Sequence, residues 1–396
     1  MKRVLVLNHF AAPATQAGGT RHVELFSRLA GWDAVIIAAN RNALSRNVVA
    51  DDGPLYRTVS TTPVSGSNIS RILNWVSYSC AALLKGLRLG RFDVVYGSTP
   101  HLLAPIPAWI IARLRRAAFV LEVRDLWPQI LAEMGGMSRT SLVYRVLARL
   151  EMFLYRRADA IVVMAVGVEA ELTHRGFGDK VVFIPNGADP ADLAAPAPKR
   201  ALRERFGFFG RTGVYAGAHG VANGLDLLID AMDRLAHEGS ELSIVLVGDG
   251  PQKAHLRELA AALPPDRVRF MDPIPKTEIP ALLGAADFGL HVLADVELFR
   301  YGVSPNKLFD YMAAGIPVLT NTGGEVARMV HDADAGIAVE PLDLAAGLRQ
   351  MEAVTSEEMA AWGDHGRNYM AQHQSRTAMA ARLSDLLEKV ATRHNH

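Results

Sequence analysis

The sequence contains a single cysteine, Cys80, among its 396 residues. One cysteine cannot form a disulfide within the chain, and it cannot build a zinc site from several thiolates. A nearly cysteine-free chain is typical of a reducing compartment, so we expect the protein to be cytoplasmic.

Long apolar runs are also missing. The stretch LLAPIPAWIIA, which begins at Leu102, ends at Arg113, well short of the roughly 20 apolar residues that a spanning helix needs. The N-terminal MKRVLVLN begins like a signal peptide, but its apolar run from Val4 to Leu7 is too short for one. We therefore predict neither a transmembrane helix nor an export signal.

The net charge is only +1, but it is unevenly distributed along the chain. Residues 1–187 carry 22 Lys and Arg against 13 Asp and Glu, a net charge of +9, and residues 188–396 carry a net charge of −8. A basic half next to an acidic half predicts that one domain faces an anionic partner such as a membrane surface. The alternative is that the two halves simply attract each other. We expect no nucleic-acid partner.

Apolar segments rich in β-branched residues alternate with helical patterns along the whole chain. The first series is RVLVLN, DAVIIAA, DVVYGS, AFVLEVR, AIVVMA and VVFIPN, and the second is TGVYAG, LSIVLVGDG, VRFMD, FGLHVL and PVLTN. This alternation predicts two doubly wound α/β domains with parallel sheets. A Pro- and Ala-rich linker at residues 184–200 places the boundary near residue 187. Ligands are expected at the carboxyl ends of the strands, in a cleft between the domains.

One predicted helix carries an unexpected charge in its first turn. In SPNKLFDYMAAGIPVL, Ser304 is a favourable N-cap, Pro305 suits the first helical position and Gly315 suits the end of the helix. Lys307 is unfavourable there, because the helix dipole is positive at this end. An anion bound at the helix N-terminus would reverse that cost.

A diphosphate is the anion that fits this helix. Free N–H groups near Ser304 and Asn306 would bind it together with the Lys307 ammonium. Asp310, three residues further on, lies on the same face as Lys307 and can accept hydrogen bonds from both hydroxyls of a ribose. The alternative is an ordinary surface ion pair between Lys307 and Asp310, and the spacing does not decide between them.

Two glycine-containing loops follow strands of the second domain. In YAGAHGVANGLDLLID, Gly217 and Gly220 allow backbone to approach an anion closely, and His219 is a candidate phosphate donor. In LVGDGPQ, Gly248 lies in a strand-to-helix turn at the same edge of the sheet. The alternatives are an ordinary loop histidine and a purely structural turn.

Three positions in the first domain follow strands in the same way. Gly18 and Gly19 precede a helix directly after the first strand, which suits a phosphate or an acceptor sugar. Arg124 and Asp125 follow the strand AFVLEV, so they are candidates for chemistry or for a structural ion pair. His101 follows DVVYGSTP and could face the acceptor, although a lone histidine is weak evidence.

Two basic segments with apolar and aromatic residues are candidates for contact with anionic lipid. They are ILNWVSYSCAALLKGLRLGR and SRTSLVYRVLARLEMFLYRRAD. Basic amphipathic helices can lie on such a surface. The alternative is that both helices pack inward while their arginines extend to solvent.

The motifs GGTR, EVRDLWP, IPNGAD, GAHGVANGLD, VGDGP and SPNKLFDYMAAGIPV, in this order, resemble those of the retaining glycosyltransferases of family 4, which have the GT-B fold. The likeness is strongest to the bacterial surface-polysaccharide branch that includes fucosamine-transferase-like proteins. It implies two Rossmann-like domains, residues 1–187 and 188–375, with a C-terminal helix, 376–396, that crosses back to the first domain.

The resemblance also implies roles for individual residues. Asp310 would hold the ribose, Lys307 and the Gly217–Gly220 loop the diphosphate, and Gly18 and Gly19 the donor phosphate or acceptor. Where many members have a phosphate-binding lysine this chain has Asn223, so Lys307 and Arg300 would carry more of the phosphate charge. Where many have a histidine it has Arg124, so Asp125 is the polar group expected nearest the reaction.

We therefore expect transfer of a sugar from a nucleotide diphosphate, most simply a UDP-sugar, to a lipid-linked saccharide at the inner face of the cell membrane. We expect no cofactor and no metal ion, because Lys307 and the helix N–H groups can stabilise the leaving diphosphate. A nucleotide-sugar epimerase of the same architecture is the alternative. A dehydrogenase is disfavoured, since no GxGxxG motif opens a helix.

Overall fold

Two parallel β-sheets organise the chain in a computed structural model that describes residues 1–13, 15–16, 19–42, 47–133, 136–295 and 306–394. The first sheet has the order β3-β2-β1-β4-β5-β6-β7, and every neighbouring pair is parallel. Its strands are β1 Lys2–Leu7, β2 Trp32–Ala39, β3 Tyr56–Val59, β4 Val94–Ser98, β5 Ala118–Val123, β6 Ala160–Val163 and β7 Val181–Phe183.

The second sheet repeats this topology with one strand fewer. Its order is β10-β9-β8-β11-β12-β13, again with every pair parallel. The strands are β8 Thr212–Ala216, β9 Ser243–Val247, β10 Val268–Met271, β11 Phe288–His291, β12 Val318–Thr320 and β13 Gly336–Ala338. The two sheets confirm the prediction of two doubly wound, Rossmann-like domains.

Helices connect most successive strands, as is usual for parallel pairing. Those associated with the first sheet are Arg21–Phe26, Asn68–Arg88, Pro105–Arg115, Gln129–Glu133, Leu142–Arg157, Val166–Leu172 and the C-terminal Arg376–His394. Those of the second are Lys199–Phe206, Leu225–His237, Lys253–Ala260, Ile279–Ala285, Asn306–Ala314, Gly324–Asp332, Leu344–Ala353 and Ser356–His373. Short 3₁₀ turns include Val221–Asn223 and Lys276–Glu278.

The structure divides into two compact units, Met1–Pro185 with Thr377–His396, and Asn186–Arg376. Each sheet is covered on both faces, and each therefore has two apolar clusters. The C-terminal helix contributes Met379, Leu383 and Leu387 to the cluster of the first unit that contains Val4 and Val6.

The helix with the unexpected lysine has the bounds Asn306–Ala314. It ends at Gly315, whose φ of 74° is easily adopted only by glycine. A Cβ atom at this position would lie 2.0 Å from Arg367 Nη2. The predicted helix end is therefore confirmed, and close packing adds a second reason for glycine.

Two edge strands were not predicted from the sequence. Strand β3, YRTV, has only its first and last residues buried, and β13 is three residues long and partly exposed. Both lie at sheet edges and are only partly buried, so neither shows the continuous apolar run of the central strands. Within the described ranges, no helix is both long and apolar enough to cross a membrane.

Candidate active site

The second sheet has its topological switch point between β8 and β11. These strands are neighbours; β9 and β10 follow on the side of β8, and β12 and β13 follow on the side of β11. A doubly wound sheet binds ligands outside the carboxyl ends of the strands at this point. The loop after β8 begins at Gly217, and the helix Asn306–Ala314 precedes β12, the strand beyond β11. The predicted diphosphate-binding segments therefore share one edge of one sheet.

Lys307 is the central charge of this edge. Its Nζ lies 4.9 Å from the centre of the Tyr215 ring and 3.4 Å from Asn223 Oδ1. A Cβ atom on Gly217 would lie 3.2 Å from the same Nζ. Within the described ranges no carboxylate pairs with this ammonium, and burial lowers its pKa to about 8. The site thus holds a poorly solvated positive charge that a bound anion would neutralise.

Asp310 lies about one turn further along the helix, and its two carboxylate oxygens differ. Lys276 Nζ donates to Oδ2. Oδ1 is buried and has no hydrogen-bond partner among the described residues. Asp310 pairs with Lys276 rather than with Lys307, so the surface-pair alternative for Lys307 and Asp310 is wrong. The buried Oδ1 remains available to a ligand hydroxyl.

Glycine allows the two loops at this edge to touch. The backbone N–H of Gly217 donates to Val247 O at 2.9 Å, and a Cβ atom on Gly248 would lie only 1.8 Å from Gly217 O. Gly248 also has a φ of 148°, which L side chains rarely adopt. A larger residue at either position would separate the loops or displace the Lys307 ammonium.

His219, the candidate phosphate donor, lies in the loop after β8. The ring is fully buried near Tyr215 and Phe270, with centroid distances of 6.2 and 6.1 Å. Neither ring nitrogen has a partner among the described residues, and burial together with Lys253 lowers the pKa to about 4. The imidazole is therefore neutral and lies beneath the loop. Gly220, next in sequence, precedes the 3₁₀ turn Val221–Asn223.

Asn306, the first residue of the helix, is exposed. Three predicted positions, Gly18, Arg300 and Ser304, lie outside the described residues.

An Asp-x-Asp sequence, which could suggest a metal-ion site, occurs in the chain at Asp332–Asp334. Both carboxylates are exposed near the amino end of β13. That is the opposite edge of the sheet from Lys307, so this motif does not belong to the site.

Arg124 and Asp125 follow β5 in the first unit, as predicted. Arg124 is half-buried and Asp125 is exposed, and neither side chain forms an ion pair or hydrogen bond with the described residues. The backbone N–H of Arg124 donates to Thr99 Oγ1 at 3.0 Å. The structural ion-pair alternative for these two residues is therefore not supported.

His101 is buried against a second histidine that the sequence analysis did not single out. Its Nε2 lies 2.8 Å from His9 Nδ1, and Trp75 stacks on its ring with a centroid distance of 4.5 Å. Burial lowers the pKa of His9 to about 3, and burial with His9 lowers that of His101 to about 2. Both rings are neutral at physiological pH, and both are fully buried. Gly19 forms a bridge to Ala11 beside this region.

Sequence reasoning missed Lys276 and Glu122. Lys276 lies in a short polar turn with no distinguishing pattern, and its partner is 34 residues away. Glu122 interrupts the apolar strand AFVLEV and is fully buried. A charge within a buried strand is a signal that could have identified it, because such a residue is almost never buried without partners.

Comparison with known proteins gives matches over both units. Residues 22–187 match the model of the Glycosyl transferase 4-like domain, and residues 210–357 match that of Glycosyl transferases group 1. The probable glycosyltransferase WbjE of Pseudomonas aeruginosa is 26% identical over 301 residues, which is 73% of this chain and 72% of WbjE. The putative colanic acid biosynthesis glycosyl transferase WcaI of Escherichia coli is 26% identical over 312 residues, 75% and 74% of the two chains.

Among solved structures, HepE of Anabaena in complex with UDP-glucose superimposes with a TM-score of 0.72. The superposition covers 98% of this chain and 100% of HepE at 16% sequence identity. This likeness shows the GT-B fold and agrees with the two doubly wound sheets.

Proposed function

The chain is a glycosyltransferase that combines a Glycosyl transferase 4-like domain with a Glycosyl transferases group 1 domain, and we propose that its second domain binds a UDP-sugar as donor. Both reported relatives are named as glycosyl transferases. No comparison supports the alternative of a nucleotide-sugar epimerase.

The observation that carries this proposal is the pair of incomplete polar groups on one helix face. The Lys307 ammonium has no carboxylate partner among the described residues, and Asp310 Oδ1 is buried without a hydrogen-bond donor. Asp310 is three positions after Lys307, an axial rise of about 4.5 Å. A nucleoside diphosphate presents anionic oxygens beside a ribose, so one ligand can satisfy both groups. The UDP-glucose in the HepE complex supports uridine as the nucleoside.

The proposed chemistry is nucleotide-sugar group transfer with retention of anomeric configuration. The acceptor hydroxyl oxygen forms the new bond to the anomeric carbon, and the electron pair of the broken C–O bond stays on the diphosphate. The hydroxyl proton leaves with the departing UDP. Lys307 and the N–H groups of its helix stabilise the charge that develops on the leaving group. Arg124 and Asp125 are the proposed polar groups on the acceptor side.

We further propose that no metal ion is required, because Lys307 already supplies positive charge at the diphosphate. Arg300, Ser304, Asn306 and Gly18 retain their predicted donor or phosphate roles as part of the proposal. Gly217, Gly220 and Gly248 would allow the close approach of backbone to the donor.

The proposed acceptor is a lipid-linked saccharide of bacterial surface polysaccharide or lipopolysaccharide synthesis. The name of WcaI, a colanic acid biosynthesis enzyme, supports this class of product. Exposed apolar side chains support contact with the inner face of the cell membrane. These side chains are exposed to water in the structure, and a lipid surface would bury them. They lie on the helices Asn68–Arg88 and Leu142–Arg157 beside exposed arginines, and they include Ile69, Ile72, Leu73, Val76, Leu142, Val143 and Val146.

Calorimetry with UDP and a panel of UDP-sugars tests the donor assignment. We expect one UDP-sugar to bind, and we expect Asp310→Ala to weaken it at least ten-fold, because a hydrogen bond to a charged group contributes about 1.5–3 kcal/mol. Arg349→Met, which breaks an exposed ion pair with Glu238 in the same unit, is the control and should leave binding unchanged. Binding that is absent, or unaffected by Asp310→Ala, contradicts the proposal.

A further inference from the structure

A buried polar cluster lies at the carboxyl edge of the first sheet, among the acceptor-side segments. Its centre is the fully buried carboxylate of Glu122. Oε2 accepts hydrogen bonds from Arg21 Nε at 3.0 Å and from Tyr96 Oη at 2.7 Å. Oε1 accepts from Ser98 Oγ at 2.8 Å and from His22 Nε2 at 2.9 Å. Four donors therefore hold one carboxylate, and we call these five residues the Glu122 cluster.

The hydrogen bonds also define the charge of His22. The backbone N–H of Phe10 donates to Asn8 Oδ1 at 2.9 Å, which orients the Asn8 amide. Asn8 Nδ2 then faces His22 Nδ1 at 2.9 Å as a donor, so Nδ1 must be the unprotonated nitrogen. Nε2 carries the hydrogen that is donated to Glu122. His22 is neutral, and Arg21 and Glu122 form the ion pair of the cluster.

The Glu122 carboxylate remains ionised throughout the physiological pH range. Burial by itself raises its pKa, but the electrostatic interaction with His22, the guanidinium of Arg21, the hydrogen bond from His22 and the more distant Arg124 hold the pKa well below its usual range. The cluster is thus a permanent arrangement of charge and directional hydrogen bonds.

The cluster connects the segments on which the acceptor-side residues were predicted. Arg21 begins the helix that follows Gly19, and Ser98 precedes the segment that contains His101. Glu122 lies two residues before Arg124. Backbone contacts strengthen these connections, because Thr99 N donates to Glu122 O and Arg124 N donates to Thr99 Oγ1, both at 3.0 Å.

A second set of contacts holds the start of the helix Arg21–Phe26. The Arg21 guanidinium donates to Ile184 O at 2.7 Å and to Pro185 O at 2.8 Å. Arg21 is therefore bound on one side to β5 and on the other to the segment after β7. Gly19 and Thr20, immediately before it, have little freedom to shift.

Stability alone does not explain a charge at this position. The neighbouring residues Leu121 and Val123 are buried and apolar, and buried ion pairs are often no more stabilising than apolar packing of similar volume. Directional hydrogen bonds, in contrast, fix the relative positions of the segments that they join. We propose that Glu122 is a positioning residue that holds Gly19, Arg124 and Asp125 in the geometry required for sugar transfer. This inference rests on the proposed glycosyltransferase function.

Glu122→Gln tests the proposal, with Glu151→Gln as the matched control. Glu151 is also a buried carboxylate of the first unit, and it accepts hydrogen bonds from Tyr155 Oη at 2.7 Å and Arg175 Nη1 at 3.2 Å. It lies in the helix Leu142–Arg157, in none of the segments that carry predicted acceptor-side residues. Both substitutions replace a buried, hydrogen-bonded carboxyl group with an amide of nearly the same volume. Because burial raises the pKa of Glu151 to about 7 whereas Glu122 is ionised, the thermal stability of each variant is measured beside its kinetics.

The measurement is hydrolysis of a panel of UDP-sugars (UDP-glucose, UDP-galactose, UDP-N-acetylglucosamine and UDP-N-acetylgalactosamine) at a temperature where all variants are folded. For the sugar that the wild type turns over, we expect Glu122→Gln to lower kcat at least ten-fold. The donor KM should change less than two-fold, because the proposed donor site lies in the second unit. Glu151→Gln should change neither value more than two-fold.

Ser98→Ala provides a milder variant if Glu122→Gln does not fold. It removes a donor to Glu122 and the acceptor of Asn8 Nδ2, and it should lower kcat about three- to ten-fold. A kcat within two-fold of the control for the folded Glu122 variant, or for Ser98→Ala, overturns the proposal.

Amide hydrogen exchange gives a second readout that needs no substrate. Exchange at residues 8–12, 19–23, 98–102 and 123–127 should be at least ten-fold faster in Glu122→Gln than in Glu151→Gln. Equal exchange in the two variants contradicts the positioning role. Absence of turnover by the wild type would instead contradict the proposed function, so the two failures are distinguishable.

Discussion

Replacing Lys307 with methionine should stabilise the unliganded protein while weakening UDP binding. Burial lowers the pKa of Lys307 from 10.5 to about 8. At about 1.4 kcal/mol per pKa unit, this shift corresponds to about 3 kcal/mol of unfavourable burial at neutral pH. Methionine retains the apolar chain without the charge, but it loses the contact with the Tyr215 ring, which contributes about 0.5–2 kcal/mol. The expected net stabilisation is about 1–3 kcal/mol.

The stability difference should also depend on pH. The folded-state pKa of Lys307 lies below the unfolded-state value, so between pH 8 and 10.5 the unfolded chain binds more protons at this residue. The stability of the wild type relative to Lys307→Met therefore rises with pH in this window. By pH 9.5 the advantage of the variant should shrink by about 2 kcal/mol compared with pH 7.

Urea unfolding followed by tryptophan fluorescence, with and without UDP, measures both effects. The control is Lys276→Met, which removes the partner of the buried Asp310 carboxylate. That change should destabilise the protein by about 1–3 kcal/mol, because it leaves a charged acceptor without its donor. The same lysine-to-methionine change at Lys307 and at Lys276 thus has opposite expected signs. The reasoning is refuted if Lys307→Met destabilises the protein at pH 7, or if its UDP affinity equals that of the wild type.

Two further predictions concern the membrane and the metal. The double substitution Ile72→Glu and Leu73→Glu, at positions 51% and 56% exposed, should reduce pelleting with vesicles of phosphatidylcholine and phosphatidylglycerol, because it removes apolar contact and adds repulsion. Leu342→Glu, at a position 79% exposed in the second unit, is the control and should pellet like the wild type. Excess EDTA should leave UDP-sugar binding and turnover unchanged, and a loss that Mg²⁺ or Mn²⁺ restores would contradict the metal-independent site.

Much of the fold could be predicted from patterns that extend over only a few residues. Continuous apolar runs identified the central strands of both sheets, because strands buried on both faces need apolar residues at every position. The edge strands Tyr56–Val59 and Gly336–Ala338 escaped prediction for the same reason, since they are partly exposed. The end of the helix Asn306–Ala314 at Gly315 also follows from local sequence, because helix ends depend on the backbone conformation of single residues.

The candidate site was predictable where the chemistry is carried by one segment. Lys307 and Asp310 share a helix face because of helical periodicity alone. Their partners could not be predicted in this way. Lys276 reaches Asp310 from 34 residues away, and the complete burial of the His219 ring depends on packing that its own loop does not specify.

Sequence by itself determined the alternation of strands and helices, the end of one helix at Gly315 and the clustering of polar residues after strands, because each depends on residues close together in the chain. Tertiary structure alone decided which polar groups are paired. Arg21 meets Glu122 across 101 positions, and His9 meets His101 across 92. The physical reason is that strand order brings distant segments to one sheet edge, and burial there leaves each polar group dependent on whichever partner the topology provides.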